Sequence, residues 1–162
     1  MPKLTNPMTP PDTLLKIRKA VWADLPAIVA MLADDLLGAS RERPDDAAIY
    51  ETAWRQIEAQ DGNDVLVAEL SGAVVGCVQL ILIPGLARQG ALRAQIEGVR
   101  VASTHRGQEI GERMIEFAID TARAAGCRLV QLTTDKRRGD AHRFYERLGF
   151  EATHEGMKLE LA

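Results

Sequence analysis

Cysteine is scarce in this chain of 162 residues: only Cys77 and Cys127 are present, far apart and in no metal-ligand or redox spacing. That removes a disulfide framework, a zinc ribbon and a dithiol mechanism, and it fits two small apolar residues in a reducing compartment. A charge excess is missing too. The 20 Lys and Arg against 23 Asp and Glu leave a net charge of −3 and no broad basic field, which argues against nucleic acid as a main partner. Long hydrophobic runs are also absent. The longest, Val74 to Ile83, is interrupted by Gln79 and falls far short of the ~20 residues that span a bilayer. Residues 1–12 carry Pro2, Pro7, Pro10 and Pro11 without an apolar core or cleavage pattern, which reads as a disordered leader and not a secretion signal. No membrane partner is expected, and the default location is cytoplasmic.

Two phosphate-binding signatures are missing as well. Neither Gly-x-x-x-x-Gly-Lys-Ser/Thr nor Gly-x-Gly-x-x-Gly occurs anywhere in the chain. In their place Val99-Arg100-Val101, a strand-like run, passes through Arg106-Gly107-Gln108-Glu109-Ile110-Gly111-Glu112 into a strong helical pattern. A turn that feeds a helix start leaves about four amide donors unpaired and adds roughly half a positive charge there. An anion such as phosphate is the natural guest.

The length and the 46% hydrophobic content suit one domain with a sizeable core, placed at residues 13–162, and no internal repeat is visible. Leu14 to Lys19 reads as a strand. Asp24 reads as a helix cap before Pro26, and Leu25, Ile28, Val29, Leu32 and Leu36 follow at helical spacing up to Gly38. Ala47 to Ile57 predicts a second helix, with Tyr50 and Trp54 as core residues or pocket walls. Asp64–Leu70 and Ala73–Ile83 predict a hairpin about Ser71-Gly72. The stretch Pro84 to Leu92, with Arg88 and Gln89, reads as a surface turn or an acceptor-facing loop. Ala94 to Val101 predicts the strand entering the phosphate turn. Met114, Ile115, Ala118, Ile119 and Ala122 mark the face of a third helix, and Arg128 to Thr133 a further strand. Asp140 should cap a fourth helix carrying Phe144, Tyr145 and Leu148, and Glu151 to Leu161 should return as a last strand pair. The expected fold is α/β, with a mixed sheet and not a doubly wound one.

The stretch Arg106-x-x-Glu109-x-Gly111 resembles the acyl-CoA pyrophosphate loop of the GNAT superfamily of N-acetyltransferases, although Glu109 stands where that family usually has glycine. Downstream, Ala141-His142-Arg143-Phe144-Tyr145-Glu146-Arg147-Leu148-Gly149-Phe150 is similar to the family's Ala-x-x-Phe-Tyr-x-x-x-Gly-Phe segment. Upstream, Ile17-Arg18-Lys19-Ala20 and Ala23 to Ile28 are similar to its first strand and helix. The segment Lys136 to Tyr145 resembles the aminoalkylphosphonate N-acetyltransferase branch. The resemblance implies a mostly antiparallel sheet of six to seven strands flanked by four helices, with a splayed central strand pair. It also implies acetyl-CoA as acyl donor, a small amine as acceptor, and the option of a homodimer through edge strands.

An alkyl ammonium with a pKa near 10 is about 0.1% neutral at pH 7, so freeing the nucleophile costs roughly 4 kcal/mol unless a base shares the task. Glu97 is the candidate base: it lies on the strand before the turn, and Gly98 beside it fits a bulge or a close ligand approach. The resemblance places a general-base glutamate there in several members, and it gives Tyr145 the role of acid toward the CoA thiolate. It also makes the Val99 amide the oxyanion donor. Val99, Arg100, Val101, Arg106, Gly107, Gln108, Glu109, Ile110, Gly111 and Glu112 become cofactor contacts, mainly through main chain. Glu109 should weaken this binding, because a carboxylate repels diphosphate and its Cβ obstructs the approach. Arg138, with Lys136, Arg137 and Arg143, is either a solvated loop or an attractive field for the CoA 3′-phosphate or an anionic acceptor. No metal ligands are assigned, because His105, His142 and His154 are scattered. Two other functions fit the same residues: acetylation of a protein lysine or N-terminus, and acyl-CoA sensing without catalysis.

Overall fold

Alternating apolar residues in the middle of the chain build the sheet on which everything else is placed. The computed structural model describes residues 15–35 and 37–161, so the expected leader lies outside the described residues, as do Leu14 and Leu36. The strands are β1 (Lys16–Lys19), β2 (Asn63–Leu70), β3 (Ala73–Ile83), β4 (Arg93–Val101) and β5 (Leu129–Leu132). They lie in chain order, antiparallel except for the parallel pair β4–β5. The expected β2–β3 hairpin forms, and Ser71 and Gly72 both take positive φ (51° and 80°) in its turn, as a two-residue turn matched to strand twist requires.

Among the described residues five α-helices accompany the sheet: α1 (Leu25–Ala33), α2 (Ala47–Glu58), α3 (Ala87–Gly90), α4 (Ile110–Ala124) and α5 (Gly139–Arg147). The additional one, α3, is a single turn inside the stretch Pro84 to Leu92. It is a surface turn, with Leu86 98% exposed and Arg88 and Gln89 in left-handed backbone. The α4 stripe of Ile110, Met114, Ile115, Ala118 and Ala122 is buried on one face of the sheet with Leu66, Ala68, Val78, Leu80, Ala94 and Ile96. Gly76 is what lets that helix settle, since a Cβ there would stand 2.8 Å from Met114 Sδ. On the other face Ile28, Met31 and Trp54 of α1 and α2 pack with Val67 and Cys77. Trp54 is therefore core, 5% exposed, and Tyr50 anchors the preceding loop by accepting the Arg43 N–H and donating to Glu42, both at 2.8 Å.

Three expectations are corrected. The sheet has five strands among the described residues and not six or seven, because Glu151 to Leu161 joins no ladder. Met157, Leu159 and Leu161 are 95%, 85% and 88% exposed. Their alternation with Lys158 and Glu160 makes one apolar row, which is stable only against a sheet that covers it. Asp24 does not cap α1: its carboxylate pairs with Arg18 at 2.7 Å and accepts the Val21 N–H at 2.8 Å, a nearer cation and a nearer amide. Asp140 does not cap α5 either. It lies inside the first helical turn and pairs with Arg143.

Candidate active site

The site begins where two strands part. β4 and β5 pair from Arg93↔Leu129 to Ile96↔Leu132 and no further, whereas β4 stays paired with β3 as far as Val101. Glu97 is the first residue of β4 past this point, and the segment Glu97 to Val101 borders the gap beyond the end of β5, called the cleft below. This is the splayed central pair that the resemblance implied.

A bulge sits in the same segment. Gln79 pairs with Glu97 and Cys77 with Arg100, so Gly98 and Val99 together oppose Val78. Gly98 supplies the turn of the chain with φ +59°, a conformation that residues with a Cβ rarely take. The extra residue shifts the alternation of side chains. Because Cys77 and Gln79 share a face, Glu97 and Arg100 share it too, on the α1–α2 side. Val99 and Val101 turn instead to the α4 side, where they pack on the core. The Ala102 N–H is donated to Val75 O at 2.8 Å. Strand alternation therefore aims the Val101 amide away from β3, toward the cleft.

After β4 the chain makes a short turn, Ser103–His105, and then the stretch Arg106 to Glu109. Arg106, Gly107, Gln108, Glu109 and Glu112 are exposed, while the Ile110 side chain is buried. No side chain caps the start of α4, so its first amides face outward beneath the cleft. Gly111 lies close beneath Phe144 and Val101, 3.5 Å and 3.6 Å from the position a Cβ would take. Glu109 has φ +61°. Glycine takes that backbone freely, which is a second reason besides charge for glycine there in the family.

Tyr145 comes to the same place from α5. Its ring lies against Phe144 and Phe150, with centroids 5.0 Å and 5.8 Å away. Burial pushes its phenol above the ordinary range, against the pull of the nearby Arg100 and Arg138 charges, so it stays protonated at neutral pH. Glu97 is exposed and accepts from Gln95 Nε2 at 3.1 Å.

A cluster that sequence reasoning missed stands beside these residues. Asp35, just past α1, pairs with Arg138 and lies 3.6 Å from Arg100 Nη2. Arg100 was expected as a cofactor contact. A charge set between Val99 and Val101 was the available signal, whereas nothing marked Asp35. Cys77 packs beneath this cluster, and burial pushes its thiol up to about 12, which makes it a poor nucleophile. Among the described residues no group of three or more His, Cys, Asp or Glu side chains is placed to hold a metal. Among the described residues no helix is long and apolar enough to cross a membrane. A cavity of about 170 Å³ beside Trp54, Asn63 and Val65 is lined by none of the candidate residues.

An open β4 edge, a bulge and an uncapped helix start are the features that the resemblance to N-acetyltransferases led one to expect. The sequence agrees: residues 25–150 match the model of the Acetyltransferase (GNAT) family, and the chain belongs to that family of acyltransferases. A solved structure described as a transcriptional regulator from Bacillus halodurans C-125 is 46% identical over 91% of this chain and 100% of that one, with a TM-score of 0.88. The aminoalkylphosphonate N-acetyltransferase of Salmonella typhimurium is 37% identical over 52% of this chain, and the match spans about half of that protein's length (54%). The glucosamine 6-phosphate N-acetyltransferase of Trypanosoma brucei brucei is 29% identical over 78% of this chain and 86% of its own length.

Proposed function

We propose that the protein transfers the acetyl group of acetyl-CoA directly to the primary amine of a small molecule. The observation that carries this reading is the opening of β4 from β5 immediately after Ile96, with Glu97 as the first residue beyond the last pair. Acetyl-CoA lies along the open edge as an added strand would, with Val99 and Val101 pairing its pantetheine through main-chain amides. Its diphosphate rests on the turn from Arg106 to Glu112. Glu97 takes the proton of the ammonium, directly or through water, and the neutral nitrogen attacks the thioester carbonyl. The Val99 N–H stabilises the oxyanion. As the C–S bond breaks, Tyr145 gives its proton to the departing thiolate, the nitrogen sheds its second proton through solvent and so restores the phenol, and no covalent acyl-enzyme is formed. The names of the Salmonella and Trypanosoma relatives support a small-molecule acceptor.

The test is CoA release with a panel of amines. Glu97→Gln and Tyr145→Phe should each lower kcat by roughly 100-fold, with calorimetric affinity for acetyl-CoA unchanged within about twofold. A second reading, acyl-CoA sensing without turnover, draws on Glu109 at the diphosphate turn and on the description of the Bacillus protein as a regulator. Tight acetyl-CoA binding with no CoA release for any amine would establish that reading. Absence of acetyl-CoA binding would overturn both.

A further inference from the structure

Arg100 is a largely covered cation short of partners. Its side chain is 16% exposed, and Nη1 donates to Val99 O at 2.8 Å. Its Nε is buried with no hydrogen-bond partner among the described residues. The carboxylate nearest to it, that of Asp35, stands 3.6 Å from Nη2, beyond hydrogen-bond reach. A guanidinium carries five N–H donors in a fixed fork suited to carboxylate, phosphonate or phosphate, and here most of that fork is idle.

Asp35 is just as specific in its placement. It follows α1, where the negative end of the helix dipole disfavours a carboxylate, so the helix does not account for it. Arg138, the Gly38 N–H at 3.3 Å and Arg100 hold it in place. Burial pushes its carboxyl up, but the two arginines outweigh that and keep it below the usual range. One carboxylate against two guanidinium groups leaves the cluster with an unmatched positive charge. The loop that bears Asp35 has light ties elsewhere on this side: Arg106 Nη2 donates to Asp34 O at 3.1 Å from an exposed position.

The cluster shares a sheet face with Glu97. Their partners on β3, Gln79 and Cys77, are two residues apart, so at a rise of ~3.3 Å per residue Glu97 and Arg100 stand about 7 Å apart at their Cα atoms. That separation is one a small molecule can bridge with a nitrogen at one end and an anion at the other.

We infer that Arg100 and Arg138 form the recognition fork for an oxyanion group on the amine acceptor, and that Asp35 occupies this fork as an internal placeholder that the acceptor displaces. The substrate class is then a short primary amine bearing a phosphonate, phosphate or carboxylate. This rests on the small-amine reading above and adds its specificity determinant. When the fork is empty, Asp35 keeps the two guanidinium groups from facing each other uncompensated. When an anion enters, the carboxylate leaves with its loop, and Arg100 gains the close acceptor it lacks.

The experiment compares aminoethylphosphonate with propylamine by their kcat/KM values. Asp35→Asn should raise the ratio, phosphonate over alkylamine, about tenfold. Arg100→Gln should lower it about 100-fold, and Arg100→Lys, which keeps the charge and loses the fork, should fall between. A separate arm needs no turnover: calorimetric titration of the acetyl-CoA-saturated protein with methylphosphonate. Asp35→Asn should bind it more tightly than the natural protein, and Arg100→Gln should not bind it. Methylphosphonate binding without turnover of any amine would keep the fork and remove the catalytic reading. Equal losses for both amines in Asp35→Asn, or methylphosphonate affinity untouched in Arg100→Gln with unchanged melting temperature, would overturn the inference and leave Asp35 a loop fastener.

Discussion

The two edges of β4 have the same residues and opposite fates. Along β3 the strand is paired from Arg93 to Val101, with its apolar side chains under α4. Along β5 it is paired for four residues and then stands open. Backbone groups that one edge pairs with protein are left without a strand partner on the other. The difference comes from length and from one inserted residue. β5 ends at Leu132, and the bulge at Gly98 turns Glu97 and Arg100 to one face just where the partner strand runs out.

If the closed edge is the foundation of the open one, damage beneath it should be large and indirect. Met114→Ala removes a fully buried side chain between α4 and Gly76 of the sheet and should cost about 3 kcal/mol of stability. Chemical denaturation should show this, with acetyl-CoA affinity of the folded protein little changed. Gly98→Val attacks the open edge itself. There is room for the side chain, since the nearest atom to a Cβ is Leu32 Cδ2 at 3.9 Å, but a β-branched residue at φ +59° is strained by roughly 2 kcal/mol. Its kcat/KM should fall by more than its stability implies, because relaxing the bulge would turn Glu97 and Arg100 to opposite faces.

The third comparison is by pH. Asp24, far from the cleft, is held below the usual carboxylate range mainly by its hydrogen bond from Arg18. A depressed carboxyl contributes stability that is present above its unfolded value, near pH 4, and is lost as pH falls through its folded value. Acid should therefore destabilise the natural protein more than Asp24→Asn, which itself should cost on the order of 1.5 kcal/mol at neutral pH. Urea midpoints at pH 7 and pH 3 measure both. The smallest change has the opposite sign. Glu109→Gly relieves a left-handed side-chain-bearing residue and removes a charge from the diphosphate turn. It should stabilise the fold by roughly 1 kcal/mol and tighten acetyl-CoA severalfold, read by melting temperature and calorimetry. An unchanged affinity would mean that the carboxylate already points clear of the ligand.

Much of this was legible in the residues. The hairpin at Ser71-Gly72, the α4 stripe, the bulge at Gly98 and the aromatic pair of α5 follow from local periodicity and turn chemistry, which act over a few residues. The last strand pair was misread because alternation in Met157, Leu159 and Leu161 reports a capacity to pair, and pairing needs an edge that the local pattern does not describe. Asp24 and Asp140 were misread as caps because a carboxylate takes the nearest strong donor. Arg18, from a neighbouring strand, and Arg143, one helical turn on, were nearer than the helix amides.

The chain by itself determined its class: a mixed α/β fold with a strand that runs through a turn into the start of a helix. Those features depend on spacing along the backbone, and spacing is written in the order of residues. Tertiary structure alone decided where β5 stops, which face the bulge gives to Arg100, and that Asp35 should meet Arg100 and Arg138 across the fold. Such meetings depend on how elements distant in sequence settle against a common sheet, and no local pattern encodes the distance between them.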